Sequence, residues 1–268
     1  MAQMIRRWMF GMLAGFWLVC CSGPVSAWAA EIDHAVWNDL LHRFVKDGQI
    51  DYEGMAQEEA RLKQYLEQVR EARPETWATS EAQLAFWINA YNACAVFGVL
   101  DHAYVWLIPV KSVKEIKGFF DQIRYSVGGR SLTLNQIEAE GRKLGDWRVH
   151  FGMVCASSSC PPIRNEAYDA KHLRQRLTDQ VRRFLQDPGR GLRLDGATLQ
   201  VSKIFDWYAG DFVPGQGGLF RKITPAQLLP VLKPYLAPDV AEAIAQRART
   251  VAYLEYDWSL NRRPSASR

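Results

Sequence analysis

Apolar and polar positions alternate along this chain mainly at helical spacing. In residues 31–47, Val36, Leu40, Leu41 and Phe44 form one stripe, which predicts a first helix ended by Gly48. Residues 57–72 repeat the pattern with Leu62, Tyr65, Leu66 and Val69, and Pro74 stops it. Ser80 with Gln83 reads as a capping box. From there to Leu100 the chain is apolar almost all round, which predicts a central, buried helix. Asn89 and Asn92 interrupt it, three residues apart and so on one face.

Beyond this helix the period changes. Residues 120–134 predict a β-hairpin around Gly128-Gly129, because that pair tolerates positive φ. Asn135 and Glu138 are expected to cap a short helix to Leu144. The apolar run 147–157 is expected to be a strand inside a sheet, and 167–185 a long helix. A second hairpin is predicted at 191–202, a short helix or turn at 203–212, two helical stretches within 225–247 and a closing strand at 251–260. Helices and strands mix without a βαβ rhythm. The expected class is α+β, with helices packed on a mostly antiparallel sheet.

Composition narrows the function. Of 268 residues, 48% are hydrophobic and 23% charged, which is ordinary globular usage. Arg6 and Arg7, an apolar run from Trp8 to Cys21 and small residues up to Ala29 have the three-part plan of a secretory leader. This reading makes 1–29 a signal peptide and the mature protein periplasmic or secreted, with no membrane span after signal removal. A lipid anchor at Cys21 is the alternative. Without Arg6 and Arg7 the chain has 31 basic and 29 acidic residues, which excludes nucleic acid as the main partner. The expected partner is a peptide, a glycan or another envelope protein. No phosphate-binding loop, dinucleotide fingerprint, paired-histidine zinc motif or serine-hydrolase elbow is present, so no cofactor is expected.

The segment HFGMVCASSSCPPI (150–163) concentrates the chemistry. A cysteine nucleophile needs thiolate character, a base and a group to orient the base. Cys155 or Cys160, His150, and Asn89 or Asn92 supply them. On a strand, His150 and Cys155 point to opposite faces, so they meet only if the strand ends early; Cys160 escapes this parity. Backbone N–H groups in the ASSS stretch can serve as an oxyanion hole. Ser157, Ser158, Tyr91, Trp207 and Asp211 are candidate substrate contacts. Two other readings use the same residues. Cys155 and Cys160 can close a small disulfide loop in an oxidising compartment, leaving a binding or structural protein. His150, Cys155 and Cys160 also offer zinc donors, with His102 as a possible fourth ligand, but no paired spacing supports a metal site and none is assigned. His34, His42 and His172 read as solvated or capping residues, and Cys94 as a small core side chain.

Four ordered motifs, FWINAYNA (86–93), VHFGMVCASSSCPPI (149–163), VSKIFDWYAGDF (201–212) and YDWSLN (256–261), together resemble the domain-of-unknown-function family 547 over about residues 75–261. The resemblance assigns 30–74 to an N-terminal helical segment and 262–268 to a tail. It marks Asn89, Tyr91, Asn92, His150, Cys155, Ser157, Cys160 and Pro161. It also implies a likeness to papain-like or transglutaminase-like cysteine enzymes, and hence thiol-dependent acyl transfer or amide hydrolysis.

Overall fold

A computed structural model describes residues 31–105, 108–215 and 222–263. The expected leader 1–29 and Cys21 lie outside the described residues, as do residues 264–268 of the expected tail. Helix α1 (Ala35–Phe44) leads through two-residue strands β1 (Val45–Lys46) and β2 (Gln49–Ile50) to α2 (Tyr52–Gln57), α3 (Glu59–Glu71) and α4 (Ser80–Asp101). Strands β3 (Tyr104–Val105), β4 (Ile108–Pro109), β5 (Tyr125–Val127) and β6 (Arg130–Leu132) precede α5 (Leu134–Arg142), α6 (Val149–Gly152) and α7 (Leu173–Leu185). The hairpin β7 (Leu192–Asp195) and β8 (Thr198–Val201) is followed by one-turn helices α8 (Ile204–Trp207) and α9 (Ala209–Phe212). Helices α10 (Pro225–Leu232) and α11 (Pro238–Arg247) and strand β9 (Thr250–Tyr253) complete it.

The class is α+β, but no sheet carries the helices. Among the described residues the strands form four small sheets, three of them two-stranded pairs and one ordered β7-β8-β9. All pairings are antiparallel except β8 with β9. The centre is α4. Its side chains from Leu84 to Val96 are all buried, because α3, α5, α6 and α7 surround it. By length and composition α4 can cross a bilayer, yet 83% of its most apolar window is buried inside the fold. Its cap is Thr79, whose Oγ1 accepts the Ala82 N–H at 3.1 Å, and not Ser80, which lies inside the first turn. Likewise α5 is capped by Thr133 in a reciprocal box with Gln136 instead of by Asn135.

The expected strand at 147–157 is the main correction. Residues 149–152 form a helical turn, and the chain extends only from Met153. A short apolar run has the same pattern in a buried helix turn as in a buried strand. Gly152 fits this turn between its neighbours: a Cβ there would come within 3.1–3.3 Å of Ile88 on α4 and Leu177 on α7. The parity obstacle between His150 and Cys155 therefore disappears. A second core, built on Phe151, Phe184, Phe205 and Phe212, lies beyond α6.

Both asparagines of α4 bind backbone. Asn92 donates from Nδ2 to Gly152 O at 2.9 Å and accepts from Val154 N at 2.7 Å. Asn89 does the same with Tyr168, at 2.8 and 3.0 Å. Each carboxamide thus satisfies one buried carbonyl and one buried amide that no sheet neighbour reaches. From the other side, the C-terminal strip 256–261 holds the loop after Cys155: Ser158 N donates to Ser259 O at 2.7 Å, Ser159 N to Asp257 O at 3.1 Å, and Asn261 N to Ala156 O at 3.0 Å.

Of the two places expected for His34, solvated or capping, it takes the second: it is the N-cap residue of α1, with no side-chain cap hydrogen bond. Its Nδ1 lies 2.7 Å from the Tyr65 hydroxyl, and burial lowers its pKa to about 4. The unfolded chain takes up this proton near pH 6.5 and the fold resists it, so the His34 contribution to stability is lost as pH falls from about 6.5 to 4. In His34→Gln, urea unfolding measured across that range should lack this part of the pH dependence. Asn92→Ala orphans a buried carbonyl and amide. It should cost about 2–4 kcal/mol in the same measurement; a loss under about 1 kcal/mol contradicts the clamp.

Candidate functional site

The clamp and the strip leave a cavity of about 400 Å³ between them. Its lining comes from α4 (Tyr91), α5 (Glu138), α6 (His150), the loop (Cys155 and Cys160), the end of α8 (Trp207) with the adjoining Tyr208, and the strip (Tyr256 and Trp258). Ala156, a buried non-glycine residue, has φ 63°. That left-handed turn is unfavourable for alanine and is retained only where its surroundings enforce it. Here it folds Ser157 back onto the Cys155 sulfur.

Cys155 Sγ lies 3.0 Å from Ser157 Oγ and 3.3 Å from the Tyr256 hydroxyl, which are themselves 3.0 Å apart. Hydroxyl protons rotate, so either can be turned on the sulfur. The Cys160 thiol is the strongest stabiliser of a Cys155 thiolate, and together with Ser157 and Tyr256 it outweighs burial; the pKa falls from its ordinary value near 9 to about 7. Burial, and next the adjacent Cys155, push Cys160 well above its ordinary value. Cys160 Sγ also accepts the Cys155 N–H at 3.0 Å. The two thiols therefore divide the roles, one holding charge and the other a proton. Cys94, Cys155 and Cys160 are all free, so the expected Cys155–Cys160 disulfide is not formed here. Cys94 is buried in α4, where desolvation raises its pKa.

His150 is buried, with Nε2 2.8 Å from Asp211 Oδ2 and its ring stacked on Tyr208 at 3.9 Å. Arg142 grips the same carboxylate at 2.7 and 3.0 Å and, with His150, holds it below its ordinary pKa. Nδ1 of His150 lacks a hydrogen-bond partner and lies 3.5 Å from Glu138 Oε1. The side chain bonded to the His150 ring is thus Asp211, expected as a substrate contact, and not Asn89 or Asn92, whose amides are occupied by backbone.

The other expected contacts separate. Tyr91 and Trp207 line the cavity, and Trp207 packs on Tyr256 and Trp258 at 4.8 and 5.6 Å. Ser157 faces the sulfur, whereas Ser158 Oγ turns to Ser259 and the Leu260 carbonyl. The amides of Ser158 and Ser159 donate to the strip, so they are not available as an oxyanion hole. His102 stays at the end of α4, on the Gly98 carbonyl. Among the described residues no three His, Cys, Asp or Glu side chains converge as metal ligands. Sequence reading missed Glu138, Arg142 and Tyr256 as site residues; of these Tyr256 carried a signal, as the first residue of YDWSLN, and Tyr208 stood in the motif VSKIFDWYAGDF.

The alkylation rate of Cys155 by iodoacetamide should reach half its maximum near pH 7. Ser157→Ala and Tyr256→Phe should each slow it roughly three- to tenfold at pH 7 by raising the pKa. A profile centred near 9 in the unsubstituted protein contradicts the geometry.

The comparisons with known proteins agree with the motifs. Neither a curated protein nor a solved structure matches the chain. The model of one family, protein of unknown function, DUF547, matches residues 74–185. That span contains α4, His150 and both loop cysteines, and the two later motifs lie beyond it. The family matched over residues 74–185 is the one that the four motifs resemble.

Proposed function

We propose that the cavity is a thiol-dependent site for hydrolysis or acyl transfer at an amide or peptide bond, in an exported protein of the cell envelope. The observation that carries this is the Cys155 sulfur. It lines a cavity, is ringed by hydrogen-bond donors and has a pKa lowered to about 7, so it is substantially thiolate at neutral pH. In this reading Cys155 Sγ attacks the carbonyl carbon and expels the amine, leaving an acyl thioester. His150 shuttles the proton through Nδ1 while Asp211 fixes the ring through Nε2. Water then releases the acid, or a second acceptor takes the acyl group. The proposed likeness to papain-like and transglutaminase-like enzymes is one of side-chain roles: thiolate, imidazole, and a polar side chain that orients it.

A binding protein is the second reading. It draws on the aromatic mouth, where Trp207 is 45% exposed beside Tyr256 and Trp258. A peptide or glycan ring can stack there without any chemistry.

Turnover of a library of fluorogenic aryl amides separates the two. Under the enzyme reading Cys155→Ser and His150→Gln each lose about 10³-fold or more, and Asp211→Asn about 10²–10⁴-fold. Turnover by Cys155→Ser equal to that of the unsubstituted protein rejects it. Binding of a ligand with no turnover by any variant favours the second reading.

A further inference from the structure

The wall of the cavity beside His150 carries a carboxylate, Glu138, that the thiol chemistry above does not use. Nε2 of His150 is occupied by Asp211 at 2.8 Å. In the neutral ring Nδ1 is then a bare acceptor, and this atom is buried and unpartnered. Opposite it, 3.5 Å away, is Oε1 of Glu138, whose side chain is only 14% exposed. Two acceptors facing one another are complemented by a group that brings several N–H donors and a positive charge.

The rest of the lining favours the same charge. Tyr91, Phe120 and Trp207 present aromatic rings, and among the described residues no lysine or arginine lines the cavity. Two nearby cations are already held by the protein: Arg142 on Asp211 and over the Tyr208 ring at 5.1 Å, and Lys114 over the Trp258 ring at 4.5 Å. Aromatic faces attract cations and give anions nothing in return.

We infer that the bond cleaved is the amide of a primary alkylamine, and that the amine leaves as an ammonium ion held between Nδ1 of His150 and the Glu138 carboxylate. This rests on the reading of Cys155 as nucleophile. As its C–S bond forms and the C–N bond breaks, the departing nitrogen takes the thiol-derived proton from Nδ1. It takes a second proton from water, and hydrolysis of the thioester returns a carboxylate and the free thiol. Overall, amide and water become carboxylate and ammonium. Glu138 repels that carboxylate, so the acid leaves and the ammonium stays longer.

The test is calorimetric titration of the unsubstituted protein with n-butylammonium, n-butanol and n-butyrate, together with site-resolved alkylation of Cys155. Butylammonium should bind about tenfold or more tightly than butanol, with butyrate weaker than either. Glu138→Gln should bring butylammonium down to the butanol level. Equal binding of amine and alcohol, or a preference for butyrate, overturns the inference whatever Glu138→Gln does. A reactive Cys155 with no ammonium preference removes this inference and leaves the proposed function standing. An ammonium preference beside an unreactive Cys155 keeps the site as a cation-binding pocket and removes the chemistry.

Discussion

A carboxamide buried in the central helix sets the position of everything around the reactive loop. Asn92 takes the Gly152 carbonyl and the Val154 amide, and so fixes the chain on both sides of Met153, between His150 and Cys155. An apolar side chain at this position could not do it, because two buried backbone groups would be orphaned. The cost of burying an asparagine is offset because both of its hydrogen-bonding ends are used. Asn89, one turn earlier, does the same for Tyr168. The face on which these two residues lie is therefore a template for the loop, and the geometry around Cys155 inherits the rigidity of α4.

From the opposite side, the strip 256–261 finishes what the helix begins. It supplies the carbonyls for Ser158 and Ser159 and the hydroxyl of Tyr256 for the Cys155 sulfur. Tyr52, far earlier in the chain, hydrogen-bonds Asn261 at 2.8 Å, which ties the strip to the N-terminal helices. The charge pattern then follows from the donors each group meets. Cys155 meets thiol and hydroxyl donors, so its anion is stabilised. Cys160 meets burial and a neighbouring thiolate, so it keeps its proton. His150 meets a carboxylate already anchored by Arg142, so its ring orientation is fixed before any ligand arrives.

The sequence carried the elements whose signal is local. The all-round apolar pattern of 84–100 announced a buried helix, and Gly128-Gly129 announced a hairpin; both are present. The two asparagines stood out because they are costly in such a helix, and their role as scaffold for backbone was one of the two readings open to them. Less legible was whatever depended on one turn of helix or on long-range contact. The run 147–157 is apolar whether helical or extended, so α6 was read as a strand and His150 was given a false parity. Asp211 lies 61 residues from His150, and Glu138 is on another helix altogether. No spacing rule joins them. The choice between Cys155 and Cys160 rests on how the loop folds Cys160 and Ser157 onto the Cys155 sulfur, with the Tyr256 hydroxyl added from far along the chain, and spacing within 150–163 does not show that fold.

The central claim is that Cys155 is an activated nucleophile while the protein is folded. Brief exposure of the folded protein to p-nitrophenyl acetate at pH 7, followed by an acid quench and peptide mass spectrometry, tests it most directly. The account predicts a single acetyl adduct, on Cys155, that disappears in Cys155→Ser, with Cys94 and Cys160 unmodified. An adduct on Cys160, or none on any thiol, would contradict it.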